Sequence, residues 1–118
     1  MEKLFDSELK VMEILWREGA VSAGKVAAIL KEEIGWNRNT TYTVIKKCIE
    51  KGVVERTDPK FICRALITRK DVQEQEMDCL INKMFHGSRQ QFFAAFLSDQ
   101  RLSKEELQKL RDMVHEME

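Results

Sequence analysis

The hydrophobic period of this chain changes twice, and that change constrains the fold more than any other feature. Three stretches with helical spacing, each closed by a glycine, give way after Gly52 to two short β-rich runs around a proline, and helical spacing resumes at Thr68. In the first stretch Leu9, Met12, Leu15 and Trp16 recur on one face, Asp6 or Ser7 supplies the cap and Gly19 the stop. Ala20-Val21 is a short extended link, after which Ser22 caps a helix with Val26, Ile29, Leu30 and Ile34 in its stripe, ending at Gly35. The polar run Asn37-Arg38-Asn39-Thr40-Thr41 offers caps for a third helix that reaches Lys51. Val53 to Thr57 and Phe61 to Ala65 are rich in β-formers and flank the turn Asp58-Pro59-Lys60, so they read as a hairpin. Helix, helix, helix, hairpin is the order of a winged helix-turn-helix.

The remainder is helical again. A helix capped at Thr68 carries Val72, Met77, Leu80, Ile81 and Met84 as far as Phe85, and His86-Gly87-Ser88 interrupts it. Ser88 caps a short helix with Phe92, Phe93, Phe96 and Leu97, and Ser103-Lys104-Glu105-Glu106 has the capping-box form in front of Leu107, Leu110, Val114 and Met117. The expected fold class is mainly α with a small β-hairpin wing: a winged helix-turn-helix domain over residues 1–68 and a C-terminal three-helix dimerisation region over residues 69–118. About fifty residues bury such wide stripes poorly on their own, and a second copy covers them economically. Leu80, Ile81, Met84, Phe92, Phe93, Phe96, Leu107, Leu110 and Val114 are therefore the candidate dimerisation residues, the alternative being that the helices fold back on their own chain.

With 118 residues, one proline and five glycines, the chain has room for one modest core and little irregular structure. No apolar run approaches the ~20 residues needed to span a bilayer, so no membrane insertion and a cytoplasmic location are expected. Three widely spaced cysteines, Cys48, Cys63 and Cys79, suit buried free thiols in a reducing compartment.

Twenty basic and twenty acidic residues leave no net charge, which excludes a peptide that binds nucleic acid by bulk charge alone. The distribution is uneven. Residues 1–35 carry 5 basic and 7 acidic groups, residues 36–64 carry 7 and 3, and residues 65–118 carry 8 and 10. The positive segment is the third helix with its hairpin, the part of a winged helix that lies against DNA. On charge alone it is equally a solvated face. At 100° steps, Thr41, Val44, Ile45 and Cys48 fall on one side of the third helix, and Asn39, Thr43, Lys46, Lys47 and Glu50 on the other.

Within that segment Arg38, Lys46 and Lys47 suit phosphates, while Asn39, Thr40 and Thr43 are short polar groups able to reach base edges. Arg56, Lys60 and Arg64 on the hairpin suit backbone contacts. Thr40 serves equally well as a helix cap, and Tyr42 either touches the DNA backbone or packs beside the wing. Trp16 and Trp36 read as core anchors rather than stacking platforms. No catalytic residue, cofactor or metal site is expected: His86 and His115 are far apart, and no zinc spacing, phosphate-cradling glycine loop or nucleophile elbow occurs.

Ser7-Glu8-Leu9-Lys10-Val11-Met12-Glu13-Ile14-Leu15-Trp16, Val21-Ser22-Ala23, Trp36 with Asn39-Thr40 and Thr43, and Lys51-Gly52 together resemble the penicillinase-repressor family of bacteria, the BlaI, MecI and CopY type. The likeness continues through Leu80 to Ser88 and Leu102 to Asp112. The resemblance implies a dimeric repressor whose winged helix binds a dyad operator and whose C-terminal helices interlace between subunits. It places Thr40 and Thr43 at the repeated threonines of the recognition helix and Lys47 at a usual basic position, over half-sites of the TACA and TGTA kind. It also implies control of β-lactamase or other resistance genes through a membrane sensor-protease pathway, with cleavage at an Asn-Phe bond. Ala95-Phe96 occupies that place, so the Asn is replaced here. The cysteine cluster of the copper-responsive members is missing after Val114.

The expected function is thus a cytosolic homodimeric repressor on double-stranded DNA. The rival of another class is a winged-helix scaffold that acts through its C-terminal helices without touching DNA.

Overall fold

The computed structural model describes residues 1–117 and contains the elements α1 (Asp6–Glu18), β1 (Val21–Ser22), α2 (Ala23–Ile34), α3 (Arg38–Glu50), β2 (Val54–Thr57), β3 (Ile62–Ala65), α4 (Arg69–Met84), α5 (Arg89–Leu97) and α6 (Lys104–Met117). The order is that of a winged helix-turn-helix followed by three helices. Its two compact units are Met1–Glu76 and the stretch beginning at Met77, with α4 running from the first into the second.

In the first unit, three helices and a small sheet enclose one core. Val11, Met12, Ile14 and Leu15 from α1, Val26 and Leu30 from α2, Val44, Ile45 and Cys48 from α3, and Val54 and Cys63 from the strands are all buried, joined by Leu4 and Val72. The stripe expected on α3 is the buried face. Ile34 departs from its expected stripe: it is exposed at the last position of α2, where the helix ends in Gly35 at φ 73°. The Gly35 N–H returns to the Lys31 carbonyl at 3.1 Å, and Trp36 then packs half-buried against the core. Trp16 is also half-buried there, and its Nε1 donates to the Ile67 carbonyl at 2.9 Å.

Two local expectations are corrected. The cap of α1 is neither Asp6 nor Ser7, both of which lie in its first turn. Phe5 has extended backbone, and its N–H donates to Glu8 Oε1 at 2.7 Å, so the carboxylate three residues on performs the capping. The Ala20-Val21 link is more than a connection: Val21–Ser22 forms the edge of a three-stranded antiparallel sheet in the order β1-β3-β2, pairing Val21 with Cys63 and Ser22 with Ile62. Two residues between helices carry too little pattern to announce a partner forty positions away.

Glu8 is wholly buried and meets Lys51 at 2.7 Å; the same ammonium donates to the Lys3 carbonyl at 2.7 Å and lies over the Phe5 ring at 4.3 Å. This pair fastens the start of α1 to the end of α3. A carboxylate with no water needs a cation in direct contact. Cys48 and Cys63 are buried thiols, and burial pushes Cys48 up to about 12 and Cys63 upward as well. Cys79 differs from the expectation, being exposed on α4.

In the second unit the caps expected from sequence form. Ser88 Oγ accepts from the Gln91 N–H at 3.1 Å, and Ser103 and Glu106 exchange reciprocal bonds, both at 3.1 Å. At the start of α4, within the first unit, Thr68 and Asp71 do the same at 3.0 Å each. His86 lies at φ 50° in the turn between α4 and α5, where the interruption His86-Gly87-Ser88 was expected. Phe85 and Phe92 meet edge to face at 5.5 Å, and Arg89 pairs with Asp78. Yet of the apolar stripe Ile81 alone is fully buried; Met77, Leu80, Met84, Phe93, Phe96, Leu97 and Val114 are exposed in the single chain.

Candidate nucleic-acid interface

The outer face of α3 is built by its own caps and by the burial of the opposite side. Asn37 Oδ1 accepts from the Thr40 N–H at 2.8 Å, so Asn37 is the cap and Thr40 is left exposed on the first turn. Arg38, Asn39, Thr40, Thr43, Lys46, Lys47 and Glu50 are all exposed. Thr43 Oγ1 donates to the Asn39 carbonyl at 2.9 Å, which occupies its proton and leaves its lone pairs and methyl outward. Such a group reads a base as an acceptor or through a thymine methyl.

The charge expected on this segment is redistributed by pairing. Of its seven cations, Lys51 turns inward to Glu8, Arg56 Nε meets Asp58 at 2.9 Å, and Arg64 meets Glu55 at 3.1 Å. Arg38, Lys46, Lys47 and Lys60 make no ion pair among the described residues, and they are the cations with most to gain from phosphate oxygens. Exposed pairs such as Arg64 with Glu55 hold together weakly and open readily to a stronger anion.

The hairpin divides its basic residues. Arg56 pairs in register with Cys63, and Glu55 with Arg64. Because side chains alternate across a strand, Arg56 shares the face of buried Val54 and Cys63, whereas Arg64 stands on the other. Arg56 and Arg64 therefore do not form one strip. Tyr42 packs beside the wing, one of its two expected roles: its ring meets Phe61 edge to face at 5.7 Å, and Arg38 donates to its hydroxyl at 3.0 Å. Phe61 was not among the candidate residues. No spacing rule marks it, because a lone aromatic beside a turn reads as an ordinary strand residue.

No group of three His, Cys, Asp or Glu side chains suited to a metal occurs among the described residues, and no described helix is long and apolar enough to cross a membrane.

Comparison with known proteins bears on the whole chain. It is 24% identical over 116 residues to the penicillinase repressor of Bacillus licheniformis, covering 97% of this chain and 91% of that protein. It is 24% identical over 115 residues to the methicillin resistance regulatory protein MecI of Staphylococcus aureus, covering 96% and 94%. The solution structure of the monomeric form of B. licheniformis BlaI, in complex with the blaP half-operator, matches with a TM-score of 0.51 at 24% identity, over 59% of this chain and 88% of that one. That likeness shows the winged-helix fold. The family model for penicillinase repressors matches residues 4–116, from the α1 lead-in to the end of α6, and the chain belongs to the penicillinase repressor family.

Proposed function

We propose that this protein is a homodimeric transcriptional repressor that sets α3 of each subunit into the major groove of a dyad operator and occludes a promoter of resistance genes. The observation that carries the reading is the exposed face of α3, where Arg38, Lys46 and Lys47 surround Asn39, Thr40 and Thr43 without carboxylate partners, in a chain of a repressor family. The cations neutralise phosphates and supply affinity; the short polar groups supply discrimination. Residues 1–68 act as the reading head and residues 69–118 as the dimerisation region, in the cytosol. The exposed faces of α4, α5 and α6, with a groove of about 410 Å³ lined in part by Phe93, Leu97, Leu110 and Val114, are the surface for the second copy. Holding two weak heads together raises their joint affinity through effective concentration, so loss of the dimer releases the operator. In the family's membrane sensor-protease pathway such release follows a cut at an Asn-Phe bond; the aligned segment here is Ala95-Phe96 on α5, whose Ala95 replaces the Asn, so the reading does not rest on that cut.

Two mutants test the roles. Lys47→Ala weakens binding to all duplexes and reduces the salt slope by about one for each subunit's lost phosphate contact. Thr43→Ala costs about 1–3 kcal/mol on the preferred duplex and relaxes its preference at one base position. Gel shifts in which the wild type shows no preference for a dyad over random duplex would refute the repressor reading, and a salt-insensitive partner captured by the C-terminal helices would favour the scaffold.

A further inference from the structure

Phe61 joins the two elements assigned to DNA. Its backbone has φ 52°, a left-handed conformation that a side chain as bulky as phenylalanine adopts only when its surroundings hold it. Three contacts do so. The Ala23 N–H at the start of α2 donates to the Phe61 carbonyl at 2.9 Å. The Tyr42 ring of α3 meets the Phe61 ring at 5.7 Å and 88°. The Arg56 guanidinium of β2 lies over the Phe61 ring, 3.6 Å from its centroid. The Arg38 guanidinium stands 4.9 Å from the centroid of the Tyr42 ring.

We infer that Phe61 is a positioning residue: with Tyr42 it forms the aromatic spacer of an Arg38–Tyr42–Phe61–Arg56 ladder that fixes the wing relative to α3. Cations are drawn to aromatic faces, so each ring orients one guanidinium. Arg56 spends its face on Phe61 and its Nε on Asp58, which leaves its terminal nitrogens to meet a phosphate. The turn Asp58-Pro59-Lys60 is exposed, and Lys60 at its end follows the same anchor. Without the spacer, the wing must be ordered at the moment of binding, and part of the affinity is lost to that ordering.

The inference rests on the DNA reading above, and one set of measurements separates the two. The full chain is challenged with the tightest duplex that the wild type draws from a random pool, and affinity is followed across a salt series. Phe61→Leu lowers affinity about tenfold and reduces the salt slope by about two, one wing contact from each subunit, while the ranking of base variants stays as in the wild type. Phe61→Tyr, which keeps the ring, restores most of both. Tyr42→Leu reproduces the loss, and the double variant is no worse than either single, because both cut the same ladder. An unchanged slope in the leucine variants, additive losses, or a Phe61→Tyr variant as weak as Phe61→Leu would overturn the inference. If Phe61→Leu does not fold, Tyr42→Leu decides by the same slope. If the wild type selects no duplex at all, the DNA reading itself is refuted.

Discussion

The two units use the same local rules and reach opposite states of burial. In the first, Met12, Val26 and Ile45 are fully hidden within their own chain; in the second, Met84 is 61% exposed and Phe96 43%, although α5 and α6 are as well capped as α2. Capping and propensity decide where a helix starts, but most helical stability in a protein comes from burying its apolar face. The first unit finds that burial in α1, α2, α3 and the sheet. The second buries Ile81 but leaves most of its apolar faces uncovered in the single chain, the surface assigned above to a second copy.

The sharpest way to break this contrast is to charge the uncovered face. In the proposed dimer, Met84→Glu removes one apolar contact per subunit, about 3–6 kcal/mol in all, and is expected to raise the dimer dissociation constant at least about a hundredfold by sedimentation. Its helical circular dichroism stays. Sedimentation identical to the wild type would mean that the face is not the subunit contact.

The next test falls inside the closed unit. Lys51→Met strands the Glu8 carboxylate without its cation and lowers the unfolding free energy by about 3 kcal/mol in urea titration, whereas Glu8→Met with Lys51→Met recovers part of that loss. Equal losses in the single and double variants would show that packing, not the uncompensated charge, is the source. A smaller effect of opposite sign is expected at Thr41, whose hydroxyl is fully buried with no hydrogen-bond partner among the described residues. Thr41→Val keeps the shape, removes the unsatisfied group and stabilises the chain by about 1 kcal/mol, visible as a higher Tm.

The smallest effect is a local one at the start of α4. Hydrogen bonds from the Thr68 backbone and side chain hold the Asp71 carboxyl below its usual range. Since its folded value lies below the unfolded one, the cap contributes fully above the ordinary carboxylate range and is lost as pH falls through the lowered value. Amide shifts of Thr68 and Asp71 should move together over that acidic window while those of buried Val44 and Ile45 stay fixed.

Much of this contrast was legible in the residues. The hydrophobic period gave the helix order and the hairpin, and Ser22, Thr68, Ser88 and Ser103 each marked a real helix start, because a cap acts over three residues and leaves its trace in sequence. The charge split located the α3 face. What stayed hidden depends on distance in the fold. Glu8 and Lys51 are 43 positions apart, Val21 and Cys63 pair across 42, and neither link has a local signature. Phe61 escaped notice for the same reason, as its importance lies in meeting Tyr42, Arg56 and Ala23 at once. Cys79, expected among the buried thiols, is exposed on α4, where its apolar neighbours Met77 and Leu80 are exposed as well.

That arrangement of thiols has a practical consequence. Cys48 and Cys63 are shut in the first unit, where burial pushes Cys48 up to about 12 and Cys63 upward, while Cys79 is exposed in the single chain. A maleimide dye at neutral pH therefore modifies one position of the native chain without any engineered substitution. Mixing donor- and acceptor-labelled preparations would make Cys79 a reporter of exchange in the proposed dimer, with the residues of the proposed reading head chemically untouched.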